Sequence, residues 1–137
     1  MKPYAWQVQV YYEDTDAGGV VYYANYLKFM ERARTEWLRS LGVEQDELVK
    51  DRNVLFAVRS VQIAYKRPAR FNDLLAVTVE PLALKPASIS IRQSITQQRN
   101  EGLLLASADV NVVCLQADSF IPRPIPKTLL KEIKSAC

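Results

Sequence analysis

The stretch EDTDAGGVVYYANY, residues 13–26, gathers the groups most capable of reaction. Asp16 stands directly before a small residue and two glycines. A carboxylate placed there can attack a carbonyl carbon or take a proton from water. Gly18 and Gly19 can adopt backbone angles that other residues resist, and they let a substrate approach the main chain. A helical pattern begins immediately afterwards. The first turn of a helix offers unpaired N–H groups and the positive end of the dipole. Both favour negative charge, including the oxyanion that develops when a carbonyl is attacked. The parts of an acyl-transfer site can therefore be assembled here. Acids ahead of a helix are usually caps or Asx-turn formers, and Glu13 likewise reads as a solvated turn residue. Tyr22, Tyr23 and Tyr26 are of a kind more often packing aromatics than ligands. Spacing alone does not choose between these roles.

The 137 residues include no histidine. That excludes a Ser-His-Asp triad, a Cys-His dyad and every His-based metal site. Acid–base chemistry must come from carboxylates, tyrosines, lysines, backbone dipoles or bound water. Of the two cysteines, Cys114 sits in an apolar run and reads as a buried, inert thiol, and Cys137 reads as exposed. Two such positions make no disulfide framework, which points to a reducing cytoplasm. The net charge of +3 comes from 18 basic and 15 acidic residues spread along the chain, without the basic stripe of a nucleic-acid binder. No secretory signal and no membrane-spanning apolar window is legible, so a soluble cytoplasmic protein is expected.

The elements that must hold the reactive stretch follow from hydrophobic period. Residues Trp6 to Tyr12 alternate with period two and predict a strand. From Tyr22 to Leu41 the period becomes helical, with Tyr26, Met30, Ala33, Trp37 and Leu41 as a stripe that Leu27 and Leu38 widen, and Gly42 as a stop. Four further strands are predicted over Val54–Lys66, Leu74–Leu84, Ser88–Gln98 and Leu103–Gln116. Val61, Ile63 and Tyr65 share a face of the first of these, and Leu75, Val77 and Val79 of the second. Ile89, Ile91 and Ile95 share a face of the third, and Leu104, Ala106, Ala108, Val110 and Val112 of the fourth. Turn chemistry at 67–73, 85–86 and 100–102 separates them, the last three forming an antiparallel meander. Residues 121–126 are extended and Lys127–Ser135 can form a short helix. The simplest architecture is one long helix packed on a five-stranded antiparallel sheet.

The run YYEDTDAGGVVYYANYLKFMERARTEWLRSLG, residues 11–42, closely resembles the acyl-CoA thioesterases associated with Tol-Pal genes, within the 4-hydroxybenzoyl-CoA thioesterase family of hotdog proteins. VQIAYKRPARFND, LLLASADVNVVC and PRPIPK extend the resemblance over effectively the whole chain. It implies an α+β hotdog fold, a five-stranded antiparallel sheet wrapped around one long central helix, as a single domain over residues 1–137. It implies hydrolysis of an acyl-CoA to free CoA and a carboxylic acid, with no metal or organic cofactor. Asp16 falls at the family's catalytic aspartate, as nucleophile through a mixed anhydride or as general base. Tyr23 falls where a backbone N–H at the helix start polarises the thioester carbonyl, and Gly19 fits the tight turn before it. Many close relatives carry histidine at Tyr23's position. Because the proposed donor is the main chain, this departure touches side-chain assistance more than activity.

The family works as homodimers, often paired into homotetramers, with sheets joined edge to edge and the active site at the interface. Coenzyme A carries phosphates, so Lys66, Arg67 and Arg70, with Lys85, are candidates for its binding; an ordinary solvated basic loop is the alternative. Asn25, Glu31 and Arg34 either line the pocket or buttress the helix. Val20, Val21 and Phe56 either contact the acyl chain or pack the core. An acyl carrier protein in place of CoA stays open, as does the acyl chain. The competing reading is a non-catalytic acyl-binding or scaffold protein of the same fold, against which the retained acid at Asp16 argues. A hotdog dehydratase would typically need a histidine.

Overall fold

A computed structural model describes residues 3–100 and 102–136. Glu101 and Cys137 lie outside the described residues. Strands β1 (Tyr4–Gln9), β2 (Val54–Tyr65), β3 (Leu74–Lys85), β4 (Ser88–Gln97) and β5 (Leu103–Gln116) form one antiparallel sheet in the order β1-β3-β4-β5-β2. The meander β3-β4-β5 is its centre, as the short turns require. Helices are α1 (Tyr23–Ser40), α2 (Gln45–Arg52) and α3 (Lys127–Ala136).

The buried face of α1 carries Tyr26, Phe29, Met30, Ala33, Trp37 and Leu38. Phe29 widens the expected stripe; Leu27, expected to do so, is exposed. The helix ends in a Schellman motif. Gly42 takes φ +82° and donates its N–H to Arg39 O, while Val43 N–H reaches Leu38 O. Opposite α1, Leu75, Val77, Val79, Ile91, Ile95 and Val110 point inward from the sheet.

The structure corrects three expectations. The first strand ends at Gln9, because Asp14 draws the chain into a short 3-10 turn over Tyr12–Asp14, its Oδ2 accepting the Tyr11 N–H at 2.9 Å. Helix α2 lacks an apolar stripe and so escapes a periodicity reading. Asp46 and Glu47 in its first turn and Lys50 and Arg52 in its last complement its dipole, and Asn53 caps it at φ 55°. In β5, Leu104 lies off the buried face. A register shift against β4 between Ile95 and Thr96 leaves Leu105 as the extra residue, and it is Leu105 that is buried.

Candidate active site

Residues 15–21 form a miniature hairpin. Thr15 and Val21 pair antiparallel, Asp16 N–H donates to Val20 O (2.9 Å), and Gly19 N–H donates to Asp16 O (3.0 Å). The Asp16 side chain completes an Asx turn, its Oδ1 accepting the Gly18 N–H at 2.8 Å. Its Oδ2 has no hydrogen-bond partner among the described residues, and the residue is exposed. The two glycines have separate reasons. Gly19 sits at φ +79°, and a Cβ on Gly18 would come within 3.2 Å of the Asp16 Oδ1.

The hairpin is pinned to the start of α1. Asp14 O accepts both the Tyr22 N–H (3.0 Å) and the Asn25 Nδ2 amide (2.8 Å), so Asn25 buttresses the turn. Tyr22 stands at the N-cap and contributes no side-chain cap bond. The N–H groups of Tyr23 and Ala24 at the helix tip are thus open to an incoming acceptor. Tyr65 of β2 donates its hydroxyl to Tyr23 O at 3.3 Å, and its ring meets the Tyr23 ring edge-on. The Tyr22 hydroxyl is pushed above its ordinary value, first by Tyr23 and also by the Asp16 charge. A carboxylate and uncapped helix N–H groups therefore share one small exposed corner.

The loop after β2 closes that corner. Ala69 O accepts the Val21 N–H (2.8 Å), Val20 bridges Arg70, and the buried Tyr26 hydroxyl accepts the Ala69 N–H at 3.0 Å. Lys66, Arg67 and Arg70 are exposed on this loop, so three of the four candidate phosphate binders lie beside the Asp16 turn. Lys85 does not join them. It ends β3, roughly 36 Å along the strand from Leu74 at about 3.3 Å per residue.

Val21 is buried in the core, whereas Phe56 lines a cavity of about 390 Å³ between α1, α2 and the sheet. Glu31 and Arg34 line it too, and Arg34 Nη1 donates to Gln93 Oε1 at 2.8 Å. Gln93 is fully buried and was missed from sequence. The available signal was its parity: it occupies the inward position between Ile91 and Ile95.

The sequence model of the thioesterase-like superfamily matches residues 10–133. The chain is 44% identical over 131 residues to the acyl-CoA thioester hydrolase YbgC of Escherichia coli, covering 96% of each. It is 43% identical over 133 residues to the acyl-CoA thioesterase YbgC of Haemophilus influenzae, covering 97% of this chain and 93% of that one. A crystal structure of a 1,4-dihydroxy-2-naphthoyl-CoA thioesterase from Synechocystis superposes with a TM-score of 0.89, over 97% of this chain and 96% of that one; at 24% identity this likeness concerns the fold alone.

Proposed function

Because the chain belongs to the thioesterase-like superfamily, has the hotdog fold and hydrolyses acyl-CoA thioesters, we propose that Asp16 is its catalytic carboxylate and the Tyr23 N–H its oxyanion donor. The observation that carries this reading is the shared corner: a carboxylate with one free oxygen beside an uncapped helix start. The thioester carbonyl oxygen rests on the Tyr23 N–H, where developing negative charge meets a preorganised donor and the helix dipole. Asp16 Oδ2 then adds to the carbonyl carbon, giving a mixed anhydride that water cleaves, or takes the proton of an attacking water. In either case the C–S bond breaks, the CoA sulfur leaves with a proton, and the water oxygen enters the products. Gly19 holds the turn and Gly18 leaves room for the carboxylate.

Lys66, Arg67 and Arg70 receive the phosphates of CoA beside the turn. The chain, a single domain, works in the cytoplasm as a homodimer or homotetramer. It falls with the thioesterases associated with Tol-Pal genes, on the EDTDAGGVVYYANY resemblance. Edge geometry supports the pairing. On β3, the half beyond the short β1 carries Pro81, which discourages strand addition. On β2 the free edge runs through the exposed stretch 58–62 without a proline. Pairing two β2 strands antiparallel brings the Lys85 end of one sheet toward the catalytic corner of the other. An acyl carrier protein would present the same pantetheine thioester, and rates on carrier-bound and CoA-bound acyl groups decide which is taken.

The test is thiol release from a panel of acyl-CoAs by wild type and Asp16→Asn. Asn keeps the Oδ1 acceptor for Gly18, so the turn persists while the charge is lost. A fall in kcat of about a hundredfold or more is expected, the scale of a lost acid–base group. An Asp16→Asn enzyme as fast as wild type would remove Asp16 from the mechanism. Light scattering should give at least twice the 15.6 kDa protomer mass; a monomer that still turns over would end the dimer reading.

A further inference from the structure

Arg34 is the anomaly in the wall of the 390 Å³ cavity. The surrounding wall is largely apolar, made by Trp37, Phe56, Val58, Ile89 and Ile91 among others. A guanidinium carries five N–H donors. One is used on Gln93 Oε1, and Gln93 in turn spends its amide on Met30 O (3.0 Å) and Thr78 O (3.3 Å). The buried Gln93 thus fixes the guanidinium from behind. Its remaining donors have no partner among the described residues, and no carboxylate lies within 4.0 Å of it there. Neighbouring Glu31 instead accepts the Thr35 hydroxyl at 2.7 Å. Burial holds the Arg34 pKa below its ordinary value, and the Glu31 charge only partly offsets this. The residue is only partly buried, so its remaining donors reach the open cavity and are available to whatever fills it.

The cavity sits far from its own protomer's catalytic corner, since Arg34 is eleven residues along α1 from Tyr23, about 16 Å at the helical rise. Antiparallel pairing of two β2 strands about residues 58–62 sets Phe56 and Val58 opposite the end of the second β2. That end carries Tyr65, which bonds the first turn of α1. In such a pair an acyl group activated at one corner would project into the cavity of the other protomer. We propose that Arg34 selects acyl groups carrying an oxygen acceptor, hydroxyl or carboxylate, at the end remote from the thioester. This rests on the thioesterase and dimer readings above. A purely aliphatic tail strips water from the guanidinium and returns nothing, whereas an oxygen-tipped tail restores a charge-assisted hydrogen bond.

The experiment compares kcat/KM of the full chain on hexanoyl-CoA, 6-hydroxyhexanoyl-CoA and adipoyl-CoA, for wild type, Arg34→Met and Arg34→Lys. Wild type should favour an oxygenated chain over hexanoyl by about 5- to 150-fold, the range of one satisfied buried donor. Arg34→Met should bring the three rates together. Preference for adipoyl over the hydroxy chain marks charge pairing, and equal preference marks neutral hydrogen bonding; both support the proposal. Equal wild-type rates on all three, or a preference that survives in Arg34→Met, overturn it. Should Arg34→Met not fold by circular dichroism, the wild-type profile and Arg34→Lys decide: Lys should keep the adipoyl preference and lose the hydroxyl one. Hydrolysis of none of the three while other acyl-CoAs are cleaved fells this proposal alone, and hydrolysis of no acyl-CoA at all fells the thioesterase reading with it. A flat profile from an active enzyme fells the selectivity alone.

Discussion

Replacing Tyr26 by Phe removes one oxygen and tests how the proposed catalytic corner is held. The Tyr26 hydroxyl accepts the Ala69 N–H at 3.0 Å, and both residues are buried. Phe preserves the ring contacts to Phe29 and Tyr65 and so creates little void. It leaves a buried amide unpaired, at a cost of about 1–3 kcal/mol. With about 2.1 cal/mol/K of unfolding entropy per residue, a chain of this length loses roughly 3.5 °C of Tm per kcal/mol, so Tm should fall by about 3–10 °C. The kinetic consequence follows from the next bonds along. Ala69 O holds Val21 and Arg70 bridges Val20, so a loosened loop displaces both the Asp16 turn and the basic residues beside it. Misplacement on the ångström scale costs up to about a hundredfold, and a fraction of that shift should lower kcat/KM about tenfold. Thermal denaturation followed by circular dichroism, with thiol-release kinetics at a temperature where both proteins are folded, reads both numbers. An unchanged Tm would show that the bond contributes nothing. A lowered Tm with unchanged kcat/KM would show that the loop does not position the turn.

Three further outcomes follow from other parts of the fold. Gly18→Ala should cut kcat with little loss of stability, because its Cβ crowds the Asp16 carboxylate, whereas Gly19→Ala should cost about 1–2 kcal/mol through its positive φ; urea denaturation of the pair separates them, and equal costs would contradict the turn geometry. Leu105→Ala should cost about 2–5 kcal/mol and Leu104→Ala under about 1, reversing the order that unbroken alternation would give. Burial pushes the Cys114 thiol above its ordinary value. A thiol whose folded pKa is raised adds stability that is complete below the unfolded value and declines as pH climbs through it toward the folded one. Between pH 8 and 10 wild type should therefore lose more Tm than Cys114→Ala, and a larger loss in the variant would refute the assignment.

Much of this protein is legible in local pattern. The period-two runs at Leu75-Val77-Val79 and Ile89-Ile91 mark their own buried face, because side chains alternate across a pleated strand whatever its neighbours do. The stripe Tyr26-Met30-Ala33-Trp37 and the stop at Gly42 define α1 for the same kind of reason. The reactive stretch is local as well: Asp16, the two glycines and the helix tip lie within eight residues, so adjacency in sequence ensures adjacency in space.

What escaped the pattern depends on two elements meeting. Between Val58 and Ser60, and at Leu105, register shifts in the sheet exchange inward for outward positions, and such a shift is negotiated between strands rather than written in one. Phe29 rather than Leu27 enters the core because the direction α1 faces is set by the sheet beneath it. Lys85 parts from Lys66, Arg67 and Arg70 because β3 runs its full length between them. Arg34, a pocket or buttress candidate from sequence, stands 59 residues from Gln93, which alone reads as an ordinary polar residue. Only the fold sets the guanidinium against a buried amide at the edge of an apolar cavity. Hydrophobic period and turn chemistry, acting over a few residues, determined the elements and the reactive turn. The cavity and its charge arose from packing between distant segments.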